Sequence, residues 1–266
     1  GQPVLGNVET LAPVRRDDLL AHIASYYHTG NAVLSAAGAV DHDALVALAE
    51  RYFSSLPQGE INPPPPARFT GSEALENREI EQLHICLGLP GVSYHHPDYN
   101  TQNLLAMALG GGASSRLYHE LREEKGLAYS ISAGPTVFTD SGLVMIYAAC
   151  DPTRAGKTIP AALEQLKQLI ADIDDAELAR AKALVRAGLL MDIESPMARA
   201  ERMAGQLLIL GKLVTVEDSL ALMNKVTVAD IKTFGAKLQR GPLARAAVGP
   251  LEALESYSTT TGRLVA

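Results

Sequence analysis

The sequence predicts an α+β protein: a two-layer domain with an antiparallel-rich sheet and a block of helices on one face, preceded by the C-terminal remnant of a second, similar domain. Three observations carry this expectation. Strand-like segments precede a long, mostly helical stretch from Thr153 to Leu238, and that segregation argues against a doubly wound parallel sheet. Four consecutive prolines, Pro63 to Pro66, break the chain with a semi-rigid extended spacer. A short pattern also recurs: Val14, Asp18, Leu19 and His22 match Val226, Asp230, Ile231 and Phe234 at a constant offset of 212 residues.

Taken in order, Arg16 to Tyr27 places Leu19, Leu20, Ile23, Tyr26 and Tyr27 at helical spacing. Asn31 to Gly38 reads as a short buried strand. Asp41 then caps a second helix, whose stripe is Leu45, Leu48, Ala49, Tyr52 and Phe53. Residues 1–56 thus form helix, strand, helix, the remnant of a first domain, and residues 57–70 are the Pro-rich linker. A lone strand leaves its backbone groups unpaired, so this piece must dock on something further.

Residues 71–266 are expected to form the complete second domain. Glu79 to Leu89 is strand-like, with Leu83, Ile85 and Leu87 alternating against Gln82, His84 and Cys86. Asp98 caps a helix that ends at Gly110, Gly111 and Gly112. Ser114 or Ser115 opens another, which stops at Gly126. Leu127 to Phe138 and Leu143 to Cys150 make a hairpin about the turn Thr139, Asp140, Ser141 and Gly142. Helices interrupted by Pro160 and Pro196 follow, and Leu243 to Val248 closes the domain as a strand.

Composition narrows the function. The 266 residues are 47% hydrophobic and 20% charged, a globular balance that excludes a disordered or collagen-like chain. A net charge of −7, aromatics at 5% and no Trp argue against a nucleic-acid partner. No uncharged apolar stretch is long enough for membrane insertion. Cys86 and Cys150 lack the paired spacing of a zinc site and read as buried thiols. The first residue is Gly rather than Met, as in a processed chain or a fragment, so a missing leader says nothing about compartment.

Gly110 to Gly112 invite a phosphate-loop reading, but no Lys-Ser or Lys-Thr follows at the required spacing. Adjacent His95 and His96 would project to opposite sides of a strand, so exposed loop residues are the better reading. Taken alone, Arg122 is a helix C-terminal cation favoured by the dipole, and Tyr129 is an ordinary strand aromatic.

The stretch from Gly110 through Ser114-Ser115-Arg116-Leu117-Tyr118 to Glu120-Leu121-Arg122-Glu123-Glu124-Lys125-Gly126-Leu127-Ala128-Tyr129-Ser130 changes that balance. It resembles the bacterial relatives of mitochondrial processing peptidase, within the pitrilysin and insulysin family of zinc metallopeptidases. Supporting pieces are Val4-Leu5-Gly6, Val40-Asp41-His42, Glu194-Ser195-Pro196 and Val248-Gly249-Pro250. The resemblance implies two α+β domains per unit, two units facing across a chamber, and hence a homo- or heterodimer. It also implies zinc held by His-x-x-Glu-His, a motif this sequence lacks. The Zn2+ is therefore expected in a missing or partner catalytic domain, with no metal bound by this chain and no activity from it alone. Arg122 and Tyr129 match the family's Arg and Tyr pair, which implies that they grip the backbone of a peptide or unfolded protein substrate. A guanidinium and a phenol supply donors suited to backbone carbonyls. Two arrangements fit: a truncated peptidase or a non-catalytic subunit, the alternative being a structural scaffold subunit of a larger complex without proteolytic role. The bacterial periplasm is the favoured compartment.

Overall fold

A computed structural model describes residues 4–61 and 63–265. The chain divides into two compact units, Gly1–Pro65 with Ile193–Leu213, and Pro66–Asp192 with Val214–Ala266. Among the described residues, no helix is long and apolar enough to cross a membrane.

The first unit opens with α1 (Val8–Leu11), α2 (Arg16–Tyr26) and α3 (His42–Phe53). Asp41 caps α3 through its carboxylate, which accepts from the Ala44 backbone N–H at 2.8 Å. The strand expected over Asn31 to Gly38 does not form. Thr29–Asn31 is a single 3-10 turn, Ala32 after it is extended, and residues 32–37 join no ladder. The apolar residues there have strand propensity, but a ladder needs a neighbouring strand. His28 alone is buried among this unit's described residues, while Leu19, Ile23, Tyr27, Tyr52 and Phe53 each expose about half their surface.

The second unit is a five-stranded sheet with helices on one face. Its strands are β1 (Ser72–Asn77), β2 (Leu83–Gly91), β3 (Ser130–Val137), β4 (Gly142–Cys150) and β5 (Ala244–Gly249), in the spatial order β1-β5-β2-β4-β3. β1 pairs parallel with β5, and every other pairing is antiparallel. Alternation decides the faces: Leu83, Ile85, Leu87 and Leu89 of β2 are buried, while His84 and Cys86 lie on the other side. There the His84 Nδ1 and the Tyr147 hydroxyl stand 2.8 Å apart.

The helical layer comprises α4 (Tyr99–Gly110), α5 (Ala155–Asp172), α6 (Asp175–Asp192), α8 (Val216–Asn224), α9 (Val228–Arg240) and α10 (Tyr257–Val265), with α7 (Pro196–Leu210) belonging to the first unit. Leu104, Leu105, Ile159, Leu163, Ile231 and Phe234 join the sheet's buried side chains in one core. Pro160 does not interrupt the helices. It lies within α5, in the second turn, whereas Pro196 sits at the first position of α7, where a missing N–H costs nothing. Asp98 does not cap α4 with its side chain. Its carboxylate instead accepts from Lys237 Nζ at 3.0 Å. His95 and His96 are exposed loop residues.

The repeat has a matching geometry at its two ends. At the start of α2, the Arg15 N–H donates to Asp18 Oδ2 at 2.8 Å. At the start of α9, the Thr227 N–H donates to Asp230 Oδ2 at the same distance. The glycines closing the two following segments, Gly38 and Gly249, have φ of 120° and 133°.

The α9 cap gives a first prediction. Hydrogen bonds from the Thr227 hydroxyl and backbone hold the Asp230 carboxyl below its ordinary value. A depressed carboxylate stabilises the fold at neutral pH, and that contribution is lost as the pH falls through its folded-state value. Thr227→Ala should cost about 1 kcal/mol in urea unfolding at neutral pH. The difference should shrink in acid, and an undiminished difference there would contradict the assignment to this carboxylate.

Candidate functional site

Arg122 lies in a π-helical segment, Tyr118–Glu124, that replaces the expected ordinary helix between Ser115 and Gly126. Leu117 and Leu121 are fully buried and anchor this segment to the core. At its near end Arg116 forks onto Glu177, with Nε to Oε1 at 2.7 Å and Nη2 to Oε2 at 2.6 Å, and its Nη1 reaches Asp172 Oδ1 at 2.6 Å. At its far end the Leu121 carbonyl accepts the N–H groups of Leu127 and Ala128, at 2.7 and 3.2 Å. Gly126 turns the chain with φ of 57°, a conformation that favours glycine, and its carbonyl accepts from Arg154. Tyr129 follows, its own N–H donating to the Ala149 carbonyl at 2.8 Å.

This path brings the two sequence-predicted residues together. The Arg122 Cζ stands 5.7 Å from the centroid of the Tyr129 ring, and it lies 5.0 Å over the Tyr118 ring. Tyr129 is 70% exposed, and Arg122 is exposed as well. Sequence reasoning passes over Tyr118, although an aromatic residue four positions before an arginine on a helix is a recognised contact spacing.

The nearby charges leave the guanidinium free. Lys125 Nζ holds Glu120 Oε1 at 2.5 Å, and that hydrogen bond lowers the Glu120 carboxyl from its ordinary value. His119 Nδ1 lies 3.4 Å from Glu124 Oε1. Arg122 has no hydrogen bond or ion pair among the described residues, and neither has the Tyr129 hydroxyl. Beside Tyr129 opens a groove of about 360 Å³, walled by Glu81, Gln82, Asp151 and Arg154. Hydrogen bonds from the Thr153 hydroxyl and backbone N–H keep the Asp151 carboxyl below its usual value.

The donor set does not fit a zinc ion. Among the described residues, no three of His, Cys, Asp and Glu converge on one point. His84 faces Tyr147, His96 lies near Asp98, and His119 lies near Glu124. Of the two thiols expected to be buried, Cys150 lies in the core while Cys86 is only half-buried on the other side of the sheet, and burial pushes both up from their ordinary value.

An uncharacterized zinc protease of Rickettsia felis is 33% identical over 252 residues, covering 94% of this chain and 61% of that protein. One from Mycobacterium leprae is 35% identical over 259 residues, covering 94% and 58%. The chain therefore spans about three-fifths of the length of these relatives. In fold, it superposes on a chain of the complex III dimer from Candida albicans with a TM-score of 0.89, at 24% identity, covering 99% of this chain and 66% of that one. The peptidase M16 inactive domain from Pseudomonas fluorescens gives a TM-score of 0.82 at 23% identity, covering 94% and 61%. The family model described as peptidase M16 inactive domain matches residues 13–185, a span that includes the π-helical segment and Tyr129. By that match, and by a sheet with its helices on one face, the chain belongs to the peptidase M16 inactive-domain family.

Proposed function

We propose that this chain is the substrate-binding, non-catalytic portion of a zinc metalloendopeptidase of the processing-peptidase type, and that Arg122 and Tyr129 grip the backbone of an extended or unfolded polypeptide. One observation carries the reading: an exposed guanidinium stands 5.7 Å from the ring of an exposed tyrosine, neither Arg122 nor the Tyr129 hydroxyl has a hydrogen-bond or ion-pair partner among the described residues, and Tyr129 lines an open groove. An arginine placed only for stability would be expected to use its five donors on the fold. Here Lys125 holds Glu120, His119 lies against Glu124, and Arg122 pairs with no carboxylate among the described residues, which leaves its donors available to a ligand.

The hydrolytic metal then belongs to other polypeptide, consistent with relatives named zinc proteases that are longer than this chain. The unburied apolar residues of the first unit support the same view, because α2 and α3 present side chains that have no core of their own. The cap of α2, which matches that of α9, supports a duplicated domain, of which residues 1–56 are the closing part.

The test is reconstitution. The chain alone should bind no stoichiometric zinc and cleave nothing, and mixing it with its zinc-bearing domain or subunit should give proteolysis. In that assembly Arg122→Ala should lower kcat/KM about ten- to hundredfold, the loss expected for a charged hydrogen bond, and Tyr129→Phe about two- to tenfold. Undiminished cleavage by the double variant would overturn the roles of both residues. Recovery from cells in a stable complex devoid of peptidase activity would replace this reading with the scaffold one.

A further inference from the structure

We propose that Tyr118 is the positioning residue for Arg122: its ring is the platform that fixes the guanidinium while leaving every N–H free. The inference deepens the peptide-gripping reading and rests on it only for the binding consequence, because the stacking is a property of the chain itself.

Two aromatic rings flank the guanidinium, and they are not equivalent. Tyr129 is 70% exposed and its hydroxyl has no partner among the described residues. Tyr118 is half-buried, and it sits directly after Leu117 and three residues before Leu121, both fully buried. The segment that carries it is fastened by the Arg116 fork to Glu177 and Asp172. The shorter of the two ring distances, 5.0 Å against 5.7 Å, is also the one to Tyr118. The better anchored of the two rings is therefore that of Tyr118.

The chemistry explains why a ring rather than a carboxylate does this work. A guanidinium is planar and its five N–H bonds lie in that plane, so a bidentate carboxylate would occupy the donors needed for a ligand. A π face takes up only the flat surface of the cation and leaves the in-plane donors available. The sequence supplies carboxylates at Glu120 and Glu124, of which the first is held by the Lys125 ammonium and the second lies 3.4 Å from His119 Nδ1. Glu123, the remaining carboxylate of this turn, makes no ion pair with Arg122.

The experiment uses the whole 266-residue chain and two readouts. The first is the side-chain Nε–Hε resonance of Arg122 in a nitrogen-correlated NMR spectrum, identified by its loss in Arg122→Lys. Between two rings, that proton should resonate upfield of the other arginines. Tyr118→Phe should keep the shift, and Tyr118→Leu should move it back toward the others. Tyr118→Met, which fills the same volume with an unbranched chain, gives the same reading should the leucine variant fail to fold. The second readout is the affinity for fluorescein-labelled, carboxymethylated casein, an unfolded polypeptide. It should weaken about two- to fivefold in Tyr118→Leu and recover in Tyr118→Phe. An Arg122 resonance that stays in place in both Tyr118→Leu and Tyr118→Met overturns the positioning role. A resonance that moves, with casein affinity unchanged in every variant including Arg122→Ala, confirms the positioning and overturns the peptide-gripping reading instead.

Discussion

Glu73→Ala should destabilise the second unit by about 3 kcal/mol in urea unfolding, because it strands a buried guanidinium whose carboxylate partner is itself partly exposed. Arg245 projects from β5 into the interior, with its side chain 1% exposed. Its Nε donates to Glu73 Oε1 at 2.8 Å, its Nη2 donates to the same oxygen, and its Nη1 donates to Thr260 Oγ1 at 2.6 Å. The Tyr257 ring lies 5.8 Å from the guanidinium carbon. Removing Glu73 leaves a buried cation with one neutral hydroxyl as its partner, whereas exchanging both charges for apolar side chains removes the penalty along with the attraction. The paired variant Glu73→Leu with Arg245→Met should therefore lie far closer to wild type than either single change. Two single variants within about 1 kcal/mol of wild type would show that the pair contributes little.

Gly110→Ala should be nearly as damaging, for a steric reason. Gly110 is the last residue of α4, where the helix lies directly on the backbone of β3. A methyl group there would overlap the Ala133 nitrogen and stand 2.8 Å from the Ser132 carbonyl carbon. The Ala133 Cβ stands 2.7 Å away as well, and none of these atoms of a paired strand can rotate aside. Overpacking of this kind costs about 1 to 3 kcal/mol, with the upper end expected against backbone. Because β3 begins one residue after Tyr129, the strain should also displace Tyr129 and shift the Arg122 resonance. Gly188→Ala in α6 is the control of opposite sign. Nothing lies within 4 Å of a methyl there, and an alanine in a helix interior should stabilise by about 0.5 to 1 kcal/mol. Equal urea midpoints for the two alanine variants would refute the steric account.

Much of the second unit is legible in the sequence because its elements carry strong local signals. The alternation in β2 and the turn between β3 and β4 lie close to where the residues alone place them. β1 is not legible. Ser-Glu-Ala-Leu-Glu-Asn has poor strand propensity and every residue is exposed, so its identity comes from the parallel ladder with β5 and from the Glu73–Arg245 pair, both long-range. The segment after Asn31 fails in the opposite sense, having strand propensity without a neighbour. At the site, Arg122 and Tyr129 are found by resemblance and their approach by the turn at Gly126, but the π-helical register that sets Tyr118 under Arg122 has no pattern in a single sequence. It depends on the anchoring of Leu117, Leu121 and Arg116 by distant parts of the chain.

The strand order has a consequence for how the molecule comes into being. β5 separates β1 from β2, although it is made long after both, and Ser72 meets Ala244 as its partner. On the ribosome, β2, β4 and β3 are able to pair early, while β1 waits without a ladder and Glu73 without its cation. The sheet is completed only when the last strand slots into an interior position rather than adding to a rim, so folding is governed by a late, non-local closure. A nascent chain arrested before Ala244 should thus be cut readily by protease around residues 72–77 and become resistant there once Gly249 has emerged.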